Sequence, residues 1–492
     1  MFSAERQHPV AAVTKVLEII KGNFITLVLL LFVTSGESMV SLFGILSVLL
    51  VLLVSGVLSW LRFTYSVVDG ELRIEQGILV RKNIYLSKER IQVIDIKAGL
   101  LQRMFGLVEV EVKTAGSSSK AAKISAITRE KAEELKSMLR TDSTGEAIDL
   151  EAEKQLLQNY ELSAKDLVIT SFTSGSFGIA LSIIGTLFSQ LDQVLSEEQM
   201  LYYLETIIPA SISTNMVFYS IVFVILLSWL LSFLGTLIKY FGFTLKVYNK
   251  ELIIRQGLFE QRQLTIPFNR IQAIQIKEGI LRQPFGLASI ILESAGYGEK
   301  EGNSTTLYPL IKKARVEDFL HKVVPEFDNP VYQSKPPQRA LRRYLFRMVF
   351  ISLAVIIPAW FYLPYGEYAI SLLLPAILLG YAQYRDAAIG IDNGSLTIRS
   401  RDFALTTAII QKKRIQRVSL KQNPFQKRRD LLTYLVTVAS GNQGRSFDIR
   451  ELEESAANKY FDWVSPEYTP QTKPGADSRE IADTDTNTDT DT

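Results

Sequence analysis

Two hydrophobic rhythms alternate along the chain. One is a set of long apolar runs; the other is a period of two, apolar then polar, over stretches of five to eight residues. A helix needs about 20 mostly apolar residues to cross a bilayer. Ser41 to Leu61 and Met216 to Leu237 meet this with no charge, and Tyr368 to Tyr384 is shorter but also uncharged. Each has an apolar partner upstream, at Leu17–Val33, Leu167–Leu187 and Tyr344–Tyr362. Glu18, Lys21 and Arg347 lie near one end of the weaker partners, where long side chains can snorkel to the interface. The pattern predicts six transmembrane helices in three hairpins, at residues 15–62, 165–240 and 342–384. An interfacial or buried helix is the alternative for the weaker members.

The period-two stretches follow each hairpin and repeat. FTYSVVDGELRIEQGILVRKNIYLSKERIQVIDIKAGLLQRMFGL, from Phe63, recurs from Phe243 at an ungapped offset of 180. A weaker third copy lies 144 residues further on, with NGSLTIRS from Asn393 and KKRIQRVSLKQNPFQKRRDLLT from Lys412. Arg90-Ile91-Gln92, Arg270-Ile271-Gln272 and Arg414-Ile415-Gln416 coincide, as do Lys97, Lys277 and Lys421. Within a copy, strands are expected at Phe63–Val68, Glu71–Gln76, Ile91–Lys97 and Leu107–Thr114. Asp69-Gly70 and Asn393-Gly394 tolerate the positive φ of tight hairpin turns, Asn249-Lys250 occupies the same place, and Gly77 and Gly257 mark the next bend. Closing helices are expected at Thr128–Leu139, Ala314–Val324 and Ile449–Trp463. Antiparallel strands closed by one helix suit a small barrel. The repeat domains are placed at 63–145, 241–328 and 385–465, and the acidic, low-complexity tail at 466–492 is expected to be disordered.

Charge sets the orientation. The loops inside the hairpins hold Glu37, then Asp192, Glu197, Glu198 and Glu205, then Glu367, and no Lys or Arg. The other flanks carry Lys15, Arg62, Lys165, Lys239, Arg342, Arg343 and Arg385. Cytoplasmic loops are the basic ones, so both termini and all repeat domains are expected in the cytoplasm of a cell membrane.

Composition removes several chemistries. The 492 residues include no cysteine, which excludes disulfides and thiolate sites. A net charge of +3 gives no reason to expect nucleic acid. The two histidines, His8 and His321, are far apart in the chain, and Gly296-Tyr297-Gly298 reads as a turn. No zinc-helix motif, phosphate loop or nucleophile elbow occurs, so no enzyme, cofactor or metal is expected.

The paired apolar runs, the RIQ triplet and the following Gly-Leu resemble the bacterial pleckstrin-homology-like membrane proteins of the YdbS/YdbT type. Three tandem units suggest the longer, YdbT-like member, and the resemblance covers roughly residues 6–465. It implies a partly open β-barrel capped by a helix in each cytoplasmic domain; with the apolar runs, the expected fold is a multi-pass α-helical membrane protein with three cytoplasmic PH-like β-barrel domains, each closed by a C-terminal helix. It brings no catalytic site. Copy three departs from the pattern where Phe105-Gly106 and Phe285-Gly286 become Arg429-Asp430.

The candidate binding residues are Arg90, Lys97, Arg270, Lys277, Arg414 and Lys421. A guanidinium fork suits phosphate or carboxylate. Membrane lipid, a protein partner and an internal ion pair are the three readings open to them. The expected partners are membrane lipids and another PH-domain membrane protein or a second copy. The expected function is a non-enzymatic membrane scaffold or envelope-associated factor, with an unrecognised membrane enzyme or a transporter subunit as alternatives. The orientation is checked by thiol labelling of the cysteine-free chain. A cysteine at Glu37 or Glu198 is expected to react from outside the cell and one at Ser118 or Asn303 to be protected; the reverse pattern contradicts the orientation.

Overall fold

Alternating strands build the sheets of each repeat. In the strand Thr64–Val68, Tyr65 and Val67 face a core, and in Glu71–Gln76 Leu72 and Ile74 meet them from the neighbouring strand. Such pairs fix the register, because a slip of one residue would turn every buried side chain outward. A computed structural model of the chain describes residues 2–22, 38–78, 80–114, 122–139, 155–175, 214–295, 304–327, 330–362, 366–440 and 444–465, with isolated positions between 178 and 186.

The first repeat runs β1 (Phe2–Arg6), α1 (Val10–Gly22), α2 (Ser38–Leu61), β2 (Thr64–Val68), β3 (Glu71–Gln76), β4 (Lys82–Ser87), β5 (Ile91–Ala98), α3 (Leu100–Met104), β6 (Leu107–Thr114), β7 (Ala122–Thr128) and α4 (Arg129–Leu139). The second runs β8 (Leu156–Glu161), α5 (Ala164–Phe172), α6 (Thr214–Tyr240), β9 (Thr244–Tyr248), β10 (Glu251–Gln256), β11 (Gln261–Pro267), β12 (Ile271–Glu278), β13 (Leu287–Ser294), β14 (Thr305–Lys312) and α7 (Val316–Val323). The third runs α8 (Leu341–Tyr362), α9 (Leu373–Asp386), β15 (Ala388–Asp392), β16 (Ser395–Arg401), β17 (Leu405–Gln411), β18 (Ile415–Lys421), α10 (Pro424–Lys427), β19 (Leu431–Val438), β20 (Arg445–Glu453) and α11 (Glu454–Val464).

The expectation of a multi-pass α-helical membrane protein with six spans is overturned. About 37% of the structure is strand, in several sheets. Among the described residues only two helices are long and apolar enough to cross a bilayer, at Val222–Tyr240 and Gln338–Tyr362. Of α2, the stretch Leu46–Leu61 is a shorter apolar helix. The run Tyr368–Tyr384 divides into a 3₁₀ segment, Gly366–Leu372, and the 14 residues of α9. Much of Leu17–Val33 and part of Leu167–Leu187 lie outside the described residues, as do Gly296-Tyr297-Gly298 and the tail from 466. Uncharged runs stand out in a sequence more strongly than half-buried strands, which spend every second residue on polar side chains.

The closing helix of the third copy also starts later than expected. Ile449–Glu453 is the end of β20, and α11 begins at Glu454. Glu451 takes a positive φ inside β20, where the pairing with β19 shifts register.

The repeats are not separate barrels. The strand order is β1-β2-β3-β4, then β7-β6-β5-β11-β10-β9-β8, then β14-β13-β12-β17-β16-β15, then β18-β19-β20. The second half of each of the first two repeats is therefore continued by the first half of the next. The two joints share one register. Ala98, Lys97 and Ile96 face Gln261, Arg262 and Gln263 in the first. Glu278, Lys277 and Ile276 face Leu405, Thr406 and Thr407 in the second. At the second joint the cores interlace as well, with Ile409 of β17 in the core of repeat two and Ala273 of β12 in that of repeat three.

Each repeat also encloses its helical segment between paired strands. β1 pairs with β2 across α1 and α2, β8 pairs with β9 across α5 and α6, and Ser334 bridges Ile389 across α8 and α9. The chain thus leaves and re-enters each sheet at neighbouring positions.

A buried carboxylate secures the second joint. Glu293, on β13, has no solvent exposure and accepts hydrogen bonds from Gln275 Nε2 on β12 and from Ser440 Oγ of repeat three. Losing a buried hydrogen-bond partner costs about 1–3 kcal/mol. Glu293→Ala is expected to lower the stability of the detergent-solubilised chain by about that amount, and Glu293→Gln by less. Equal melting of wild type and Glu293→Ala would show that the carboxylate does not hold the joint.

Candidate functional site

Each repeat has an end beside the long helices and an end away from them. β2, β9 and β15 start within four residues of the ends of α2, α6 and α9 and run away from them. The next strand returns, and the bend after it touches the helix end. Arg62 donates to the Ile78 carbonyl (3.0 Å), Gly257 N to Phe241 O (2.9 Å), Leu258 N to Ile238 O (2.9 Å) and Gln383 to Asp402 O (2.9 Å). Glycine is required in this bend: Gly77 and Gly257 have φ of 116° and 111°, and a Cβ would sit 2.0 and 2.1 Å from a carbonyl oxygen.

The six candidate residues are divided between the two ends. Arg90, Arg270 and Arg414 each close a 3₁₀ turn that hydrogen-bonds back to the first hairpin, through Lys88 N to Gly70 O, Phe268 N to Lys250 O and Lys412 N to Gly394 O. That is the end away from the helices. Lys97, Lys277 and Lys421 lie seven residues further along the returning strand. At about 3.3 Å per residue the arginine and lysine of one repeat are roughly 23 Å apart. The structure does not bring them together.

Their surroundings differ too. None of the three arginine side chains has an ion-pair partner among the described residues, and Arg414 Nε is buried without one. Lys97 is largely buried and pairs with Glu111 at 2.7 Å, whereas Lys277 and Lys421 are exposed. Part of the basic run before Arg414 is tied into the fold: Lys413 reaches Glu326 of repeat two (3.3 Å), and Lys412 lies over the Trp463 ring (5.2 Å).

The lysine end carries side chains that the repeat pattern alone did not single out. Leu100, Met104 and Phe105 are exposed on and after α3. Ile280, Leu281 and Phe285 are exposed in the same loop of repeat two, and Phe425 in that of repeat three. Val80, Phe259 and Phe403 are exposed in the neighbouring bends. Basic residues stand among them: Arg103, Lys427, Arg428 and Arg429, all exposed. The Phe-Gly pair was the available signal. Gly106 and Gly286 have φ of 67° and 60°, and Asp430 keeps the same left-handed backbone at 51°. Copy three therefore preserves the loop shape while exchanging the phenylalanine for arginine.

These loops sit against the helices. Arg282 donates from Nε to Thr173 Oγ1 (3.0 Å), from Nη1 to Pro309 O (2.9 Å) and from Nη2 to Thr170 O (3.3 Å). Burial pushes its guanidinium pKa below the usual arginine range. Beside Thr173, the Phe172 ring packs at an angle against Trp229 and edge-on against Phe233, two to three turns inside α6. Arg103 donates to the Leu258 carbonyl (2.7 Å), which places the first loop beside the second repeat's bend. Arg339, just before α8, donates to the Arg429 carbonyl (3.0 Å).

At the first joint the same end opens into a cleft of about 260 Å³. Lys97, Arg129, Arg255 and Arg262 line it, and no carboxylate does. Arg129 and Arg255 both donate to Gln263 Oε1, so their remaining donors can meet a small anion. No group of three or more His, Cys, Asp or Glu side chains able to hold a metal ion occurs among the described residues.

A family model described as Bacterial PH domain matches residues 16–142, 199–325 and 344–467. The chain belongs to this family. It is also 35% identical to UPF0699 transmembrane protein YdbT of Bacillus subtilis (strain 168), over 95% of this chain and 99% of that protein. No solved structure matches. The chain is accordingly a membrane protein with three bacterial PH domains.

Arg282 tests how the second PH domain is fixed to its helix. Arg282→Ala removes three donors and is expected to cost about 1–3 kcal/mol in the thermal melt of the full chain. Arg282→Lys, which keeps the charge but loses the fork, should fall between. A change within about 0.5 kcal/mol, the range of an ordinary surface substitution, would contradict this.

Proposed function

We propose that the protein is a non-enzymatic membrane scaffold whose PH domains rest their lysine end on the cytoplasmic leaflet and contact anionic lipid headgroups there. One observation carries the reading: exposed apolar side chains lie at the end of each PH domain that touches the long helices, and in the second and third domains exposed cations stand beside them. Apolar side chains such as Phe285 and Phe425 favour the acyl boundary, while cations such as Lys277 and Lys427–Arg429 favour the headgroups. Basic residues near an anionic leaflet contribute about 1 kcal/mol each.

The two helices that are long enough to span support the orientation. α6 enters the second PH domain through Lys239, and α8 leaves it through Arg342, Arg343 and Arg347. Both basic ends lie on the PH-domain side, which the positive-inside rule assigns to the cytoplasm. Phe223, Leu226, Phe350, Val355 and Phe361, on the surfaces of these helices, are exposed, as lipid-facing side chains would be. In this reading Lys277, Lys421 and the loop cations are the lipid contacts, and Lys97 is held in the fold by Glu111. Arg90, Arg270 and Arg414 lie too far from the leaflet to take part and are left for a protein partner or for shaping the turn.

Spin labelling of single-cysteine variants in lipid nanodiscs tests this. Labels at Phe285→Cys and Phe425→Cys are expected to be reached by lipid-soluble oxygen and shielded from a water-soluble nickel complex. Labels at Arg90→Cys, Arg270→Cys and Arg414→Cys should show the opposite. Nickel reaching every site equally would refute the reading.

A further inference from the structure

The array of PH domains stops in the same way that it is joined. Strand β11 is covered by β5, and β17 by β12. The equivalent of β11 and β17 in the first repeat is β4, and the equivalent of β5 and β12 in the third is β18. Both are terminal strands of their sheets, with no partner on the outer side among the described residues. In the joined position six of the seven residues of β17 and two of the seven of β11 are buried, whereas no residue of β4 or β18 is. One chain thus ends in the two halves of a joint that it already makes twice internally.

We propose that a second copy of this chain completes that joint, with β18 of one copy pairing antiparallel with β4 of the next. The two internal joints set the register. Gln261 faces Ala98 and Leu405 faces Glu278; Arg262 faces Lys97 and Thr406 faces Lys277. Carried over by the repeat offsets, Arg81 faces Gln422, Lys82 faces Lys421, and Asn83 faces Leu420 of the neighbouring copy. Lysine on an edge strand usually discourages pairing. Here an internal joint already sets two cations, Arg262 and Lys97, opposite each other. The contact is head-to-tail, so each added copy presents a fresh β4 and β18, and growth stops only where a ring closes. Because the joined ends both sit beside the helices, successive copies would keep their lysine ends on one plane.

Crosslinking in native membrane tests the proposal, aided by the absence of other cysteines. A chain carrying both Lys82→Cys and Lys421→Cys, treated with a short thiol crosslinker, is expected to give a ladder of dimers and larger species. Each single variant alone should give none, and co-expression of the two single variants should give dimers without a ladder. Mass measurement of the unmodified chain in nanodiscs is expected to show more than one copy per assembly. Crosslinked dimers from Lys82→Cys alone or Lys421→Cys alone would show a symmetric contact and overturn the proposal. So would a single-copy mass together with no crosslink in the double variant.

Discussion

Backbone hydrogen bonding between β5 and β11, and again between β12 and β17, organises everything else in the molecule. An unpaired strand edge leaves a row of donors and acceptors unsatisfied, and burying such a row without partners is costly. The first two PH domains meet this by pairing their second halves with the first half of the domain that follows. The chain therefore builds an array in which neighbouring domains share a sheet, and at the second joint a core as well. A shared register at both joints means that the repeats are related by nearly the same step, so one end of every domain recurs on one side.

That step matters because of where the helical segments enter. Each begins and ends at adjacent positions of one sheet, by the pairs β1 with β2, β8 with β9, and the Ser334–Ile389 bridge. The domains are consequently fixed to their helices at two points rather than hung from one flexible linker. Arg282 adds a third attachment, from a loop to α5. With both ends of the segment held, the lysine end is directed toward the bilayer, and the chemistry exposed there decides the function. Lys97, at the first joint, is held by Glu111, whereas Lys277, at the equivalent position of the second joint, and Lys421 are open to solvent.

Much of the repeat was legible in the sequence. The strands Glu71–Gln76 and Leu107–Thr114 have the bounds that alternation implies, and the Asp69-Gly70 turn has the positive φ angles it was assigned. The helices were read less well, because uninterrupted hydrophobicity says that a segment avoids water but not whether it forms one long helix. Tyr368–Tyr384 has that composition and still divides between a 3₁₀ segment and a short α-helix. The strands β1 and β8 escaped notice since each precedes its hairpin and gains meaning only from a partner more than 50 residues away. For the same reason the sharing of sheets between repeats was invisible: a repeat shows which segments are equivalent, not which edges meet. Among the site residues, identity across copies drew attention to the arginines. The loop at the other end changes its side chains from copy to copy while keeping its backbone, so it left a weaker trace.

The sheet continues from one PH domain into the next. Amide hydrogen exchange resolved to single residues in β17 tests it most directly. An interior strand has every amide bonded to one neighbour or the other, whereas an edge strand leaves alternate amides free. The account predicts slow exchange at every amide from Thr406 to Ile410 in the intact chain. Alternating fast and slow exchange along those residues would show separate barrels and contradict it.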